Sequence, residues 1–123
     1  MLITFRNKSP EIHKSVFVAD NAAIIGDVKI GKNSNVWFGT VIRADSHKIT
    51  IGESTNIQDL SVLQGNEANH IIIGDGVTVG HRAILHGCII GNRVLIGMGS
   101  IVMNGAQIGD DTIVAAGALV TEG

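Results

Sequence analysis

Aliphatic residues return along this chain at a fixed step of six. From Val18 the step gives Ile24, Ile30, Val36 and Ile42, and after a three-residue insertion it resumes at Ile51, Ile57 and Leu63. A four-residue insertion precedes Ile73, Val79 and Leu85. One residue is dropped before Ile90, and the run continues through Ile96, Val102, Ile108, Val114 and Val120. All seventeen of these anchors are Ile, Val or Leu. Where the step is uninterrupted, a small or β-branched residue stands four places later: Ala22, Val28, Ser34, Thr40, Thr55, Ser61, Val77, Ala83, Val94, Ser100, Ala106, Thr112 and Ala118.

A period of six suits neither a 3.6-residue helix nor the simple alternation of a long strand. It suits a short strand followed by a tight corner, repeated, with the anchor and the small residue both pointing inward. Glycine often follows the anchor directly, as at Gly31, Gly52, Gly74, Gly80, Gly91, Gly97 and Gly109, and Asn and Asp are frequent nearby. These residues tolerate the positive φ that corners need. Three sides close a triangular coil of about eighteen residues, so the spacing predicts an all-β parallel β-helix. Residues 18–123 then hold between five and six coils, stacked at roughly 4.8 Å per layer into a prism on the order of 25–30 Å tall. The expected organisation is one domain, residues 1–123, with 1–17 as an N-terminal lead-in that caps one end.

Composition supports a repeat. Hydrophobic residues make up 45% of the chain, yet aromatics are only 3% and Tyr is absent. A core without aromatic bulk is one of many equivalent small slots. The formal net charge is −2, and the nine Lys and Arg are scattered, with no two adjacent. Nucleic acid and anionic membrane surfaces both call for a basic face, so neither is expected as a partner. The single cysteine, Cys88, excludes an intrachain disulfide and fits a reducing compartment. Arg6, Asn7 and Lys8 stand where a signal peptide would carry its apolar core, so a cytoplasmic protein is expected.

Stacking converts the repeat into candidate chemistry. The position after the anchor is Arg43 in one coil, Gln64 in the next and His86 in the next, which makes a vertical ladder on one outer face. Two places after the anchor, Asp59 falls beneath His81. His81 and His86 lie on different sides of one coil, so one chain does not easily bring both to a single cation. Three chains around a threefold axis can. Cys88 occupies an inward small slot and reads as a buried, inert thiol. His13, His47 and His70 read as surface histidines.

At these residues the chain resembles the γ-class carbonic anhydrases, which are hexapeptide-repeat proteins. The resemblance is carried by Val36-Trp37-Phe38-Gly39, Val41-Ile42-Arg43-Ala44-Asp45, Asn56-Ile57-Gln58-Asp59, Thr78-Val79-Gly80-His81 and Ile84-Leu85-His86-Gly87-Cys88, in order and suitably spaced. It spans about residues 10–123 and implies a left-handed β-helix, assembled as a homotrimer that hydrates CO2 to bicarbonate. It implies zinc, or iron or cobalt, held between subunits by three histidines. Carried over, His86 is one ligand and His81 the neighbour's contribution. The remaining ligand position, after Val62-Leu63, holds Gln64 where the family has His. A glutamine oxygen is a weaker, harder ligand than imidazole, and His70, in the insertion that follows, is an alternative. The resemblance further implies that Gln58 orients the attacking hydroxide, that Arg43, Asp45 and Asp59 pair charges between subunits, and that Glu67 is an acidic proton shuttle. Proteins of this type finish their repeats and add a helix. This sequence stops at Gly123, three residues into a repeat, so a fragment without that helix is expected.

Two other functions share the fold. A non-catalytic trimer would keep the assembly and lose the metal, as Gln64 suggests. Hexapeptide acyltransferases share prism and trimer but use a long protruding loop, which this sequence lacks; an acyl-CoA thioesterase is a related alternative.

Overall fold

The computed structural model describes residues 1–123 and contains strands and turns but no helix. The hexads close into a left-handed parallel β-helix with three faces. The first face carries Leu2–Ile3, residues 23–25 and 41–43, Val62–Gln64, Ile84–His86, Ile101–Val102 and Leu119–Val120. The second carries Glu11–Ile12, residues 28–30 and 49–51, Ile71–Ile73, Ile89–Ile90 and Gln107–Ile108. The third carries Phe17–Val18, Asn35–Val36, Asn56–Ile57, Thr78–Val79, Leu95–Ile96 and Ile113–Val114. Strands Ala23–Ile30 and Val41–Ile51 run around a corner and join the first two faces into one eleven-stranded sheet. The third face is a separate six-stranded sheet.

The stack is taller than the sequence suggests, at about seven turns. Residues 1–17, read as a lead-in outside the repeats, supply strands to all three faces: Leu2 pairs with Ile24, Ile12 with Ile30 and Phe17 with Asn35. Ile12 lies six residues before Val18, so the hexad begins earlier than the anchors counted from Val18. The terminal ammonium fixes this first coil by donating to the carbonyl oxygen of Ala22 at 2.8 Å.

Anchors from Ile24 to Val102 are buried to 2% exposure or less, and the ends of the series, Val18, Ile108 and Val120, are partly covered. Burying one such Ile or Leu is favourable by about 1.5–3 kcal/mol. The small inward positions are equally enclosed, including Ser34, Thr40, Thr55, Ser61 and Ser100. A buried hydroxyl is costly unless it is hydrogen-bonded, and each of these reaches a carbonyl of the next coil. Ser34 Oγ donates to Gly52 at 2.7 Å, Thr40 Oγ1 to Gln58 at 2.9 Å, Thr55 Oγ1 to Gly74 at 2.9 Å, Ser61 Oγ to Gly80 at 3.0 Å and Ser100 Oγ to Ala115 at 2.9 Å.

All variation in coil length falls at the corner between the first and second faces. The anchor-to-anchor step across it is ten residues from Leu2 to Ile12, six from Ile24 to Ile30, nine from Ile42 to Ile51, ten from Leu63 to Ile73, five from Leu85 to Ile90 and six from Val102 to Ile108. Every other step is six. The two ten-residue steps each turn back through an antiparallel bridge, Phe5 with Lys8 and Asn66 with Asn69. The corner between the second and third faces is closed by a column of glycines. A Cβ on Gly52 would sit 2.6 Å from the carbonyl oxygen of Gly74, and one on Gly74 would sit 2.8 Å from that of Gly91.

Candidate metal centre

The register sets Arg43 beside Gln64 and Gln64 beside His86 on three successive rungs of the first face. The strand Ile84–His86 buries Leu85 inward, which turns His86 outward and leaves it half-buried. Its Nδ1–H donates to Asn104 Oδ1 at 2.6 Å, one coil further on. That bond holds the ring and leaves Nε2 with its lone pair free.

His81 follows Thr78–Val79 of the third face, just before the corner where Arg82 takes a φ of 59°. Its Nδ1 is 3.3 Å from Asp59 Oδ1, directly beneath it. The contact is a close approach of ring nitrogen to carboxylate oxygen, and it leaves Nε2 without a partner in the chain. His86 is thus steadied through Nδ1 by a hydrogen bond, and His81 has a carboxylate oxygen beside its Nδ1. Joined with the Gln64 amide oxygen where two copies meet, they would supply a two-nitrogen, one-oxygen donor set. Such a set fits Zn2+, Fe2+ or Co2+, less tightly than three imidazoles would. No three His, Cys, Asp or Glu side chains converge within one chain.

Of the other expected residues, the chain brings only Arg43 and Asp45 to the rung of Gln64. Asp45 faces Arg43, with Nε 3.3 Å from Oδ2, and the Gln64 Nε2 lies at a longer 3.5 Å from Oδ1. Burial pushes this carboxyl up, but hydrogen bonds from Gln64 and the backbone, together with Arg43, outweigh it and hold Asp45 below its ordinary value. Within the chain, then, Arg43 pairs with Asp45 and Asp59 with His81. Gln58 is half-buried on the third face beside Gly80 and Met98, and its amide makes no hydrogen bond within the chain. Glu67 is exposed at the tip of the Asn66–Asn69 turn. His70 is exposed, and its Nδ1 is occupied by accepting the Lys48 N–H at 2.8 Å.

His47 corrects the sequence reading. Expected at the surface, its side chain is fully buried. The three-residue insertion after Ile42 carries the ring under the next coil, where Nε2 accepts the Gly65 N–H at 2.7 Å. Gly65 leaves space for it: a Cβ there would lie 3.1 Å from the imidazole. His47 Nδ1 has no hydrogen-bond partner and is 3.7 Å from Asp45 Oδ1. Burial lowers its pKa, with His70, His86 and Arg43 adding to the effect and Asp45 opposing it. Asn104 also escapes the sequence reading, although it stands eighteen residues after His86, one regular coil away. Cys88 is fully buried, and burial pushes its thiol up to about 12.

Comparison with known proteins gives the same pattern of resemblance. The family model for bacterial transferase hexapeptides (six repeats) matches residues 9–44 and 87–122, and that for the hexapeptide repeat of succinyl-transferase matches 70–102. A carbonic anhydrase of Geobacillus kaustophilus is 48% identical over 110 residues, covering 89% of this chain and 60% of that protein. The mitochondrial gamma carbonic anhydrase 2 of Arabidopsis thaliana is 42% identical over 127 residues, covering 98% and 46%. The chain therefore spans only about half to three-fifths of these curated relatives. Among solved structures, a hexapeptide transferase family protein from Anaplasma phagocytophilum superposes with a TM-score of 0.97 at 47% identity, covering 100% of this chain and 72% of that one.

Proposed function

The chain belongs to the hexapeptide-repeat family, in the branch of the γ-class carbonic anhydrases, and on that premise we propose that it forms a homotrimer hydrating CO2 to bicarbonate at a metal between subunits. His86 and Gln64 of one subunit and His81 of the neighbouring subunit hold the cation, which is Zn2+, or Fe2+ or Co2+. The observation that carries this reading is the matched state of the two histidines. Each has an oxygen at its Nδ1, Asn104 by a hydrogen bond to His86 and Asp59 at 3.3 Å from His81, and each leaves Nε2 unpartnered. The two follow strands on different faces of one coil, so a site shared between copies is the arrangement that unites them.

When bound, the cation would supply the Lewis acidity that lowers the pKa of a water to about 7. The chain's residues do the rest. Asn104 holds the His86 ring, and Asp59 stands beside His81 to orient it. Gln58, with an amide that has no partner in the chain, orients the attacking water. Glu67, exposed beside the site, passes the released proton to solvent. Arg43 and Asp45 hold the rung on which Gln64 stands. The cytoplasm is the proposed setting.

Metal analysis of the purified protein, with a CO2 hydration assay and a mass measurement in solution, tests this. Stoichiometric metal and hydration are expected, and a metal-free, inert trimer would overturn it. Gln64 itself favours the second reading, a structural trimer without catalysis, for which that inert trimer is the expected outcome.

A further inference from the structure

We infer that His47 is a positioning residue for Gln64, and that the arrangement it maintains makes the amide oxygen of Gln64 the donor presented to the cation. The inference rests on the cation site proposed above. A glutamine amide is ambivalent, with an oxygen that accepts and a nitrogen that donates. What its free end offers depends on which end is held.

Asp45 decides this. Its carboxylate accepts only, so the end of Gln64 that faces it is the NH2, 3.5 Å from Oδ1, and the oxygen is turned away from it. The carboxylate is oriented in turn by the Ser46 N–H, 3.0 Å from Oδ1, and by Arg43 Nε, 3.3 Å from Oδ2.

His47 acts on this rung from both sides. Because Nε2 accepts the Gly65 N–H at 2.7 Å, the proton of the neutral ring is on Nδ1. One nitrogen therefore grips the backbone of the residue that follows Gln64. The other is a buried N–H without a partner, 3.7 Å from Asp45 Oδ1, the oxygen that the Gln64 amide faces. A buried donor without a partner is costly, and Asp45 is the acceptor at hand. Moving the carboxylate by roughly 0.7 Å toward the ring would bring the pair to hydrogen-bond length. A cation on the amide oxygen polarises the amide and strengthens its N–H as a donor to Asp45, so ligation and positioning reinforce each other.

The test is titration of the metal-free protein with Co2+ alone, followed by visible absorption of the bound ion and by competition with a chelator. His47→Gln retains an acceptor within reach of Gly65 and loses the Nδ1–H; His47→Asn does the reverse. Asp45→Asn, on a partly exposed side chain, lets the Gln64 amide turn over. In the otherwise native chain each of the three is expected to weaken Co2+ binding tenfold or more and to change the Co2+ spectrum. In a Gln64→His background, where no amide needs orienting, the same changes are expected to alter affinity less than twofold. Wild-type affinity in all three variants overturns the inference alone, and so does an equal loss in both backgrounds, the mark of a merely structural role. Wild-type protein that binds no Co2+ overturns the cation reading and this inference with it. Melting temperature and solution mass identify a variant that fails to fold, in which case Asp45→Asn carries the comparison.

Discussion

Asn104 Oδ1 accepts a 2.6 Å hydrogen bond from His86 Nδ1 across the boundary between two coils. The bond ties a candidate ligand to the layer above it, so the ligand's orientation is a property of the stack as well as of its own strand. Asn104→Leu keeps the bulk and removes the acceptor. The expected result is a 10- to 100-fold loss of Co2+ affinity by chelator competition, with the solution mass unchanged.

Gln64→His tests the proposed ligand position. An imidazole in place of the amide completes three nitrogen donors. Zn2+ affinity should rise by tenfold or more, with CO2 hydration rising alongside, as measured by metal analysis and stopped-flow assay. An unchanged affinity would mean that residue 64 is not a ligand.

Gly87 supports the same bond by its smallness. It adopts a φ of 57°, and a Cβ there would collide with Asn104 Oδ1 and with the side chain of Asn69. Gly87→Ala should therefore lower the melting temperature and weaken metal binding together. Loss of stability at unchanged affinity would separate the backbone from the site.

Leu85, fully buried one residue before His86, is a core anchor. Leu85→Ala should cost about 2–5 kcal/mol of stability by chemical denaturation.

Cys88 should be inert in the folded chain. Burial moves its thiol from an ordinary 9.0 to about 12, so almost no thiolate exists at pH 8.5. Alkylation at that pH should be negligible until denaturant is added. The folded state holds this proton more tightly than the unfolded one, so its contribution is complete below pH 9 and declines between about pH 9 and 12.

The period of six makes the core legible in the sequence, because burial repeats wherever the coil does. Ile24, Leu63 and Val102 are far apart in the chain yet meet the same environment. The ladder from Arg43 through Gln64 to His86 follows from the same counting. The first coil is hidden from such counting because Leu2 and Ile12 are separated by a ten-residue step that masks their membership. His47 defeats it because the residue lies inside an insertion, where the period says nothing about direction and a single hydrogen bond to Gly65 draws the ring inward. Asn104 obeys the period, but neutral amides are common at corners and nothing marks this one as a partner for His86.

The glycine column and the variable corner together say where such a prism can change. At Gly52 and Gly74 the backbone of each layer fills the volume a side chain would need, so an alteration there must be matched by the layer above. Chain length along that edge is effectively locked. Across the prism the first and second faces meet through steps of five to ten residues without disturbing the stack. Novelty is cheap on that edge alone, and Gln64, Asp45 and His47 all stand on it. A designer wishing to reshape the chemistry of this scaffold would lengthen or shorten the chain there and leave the other two edges as they are.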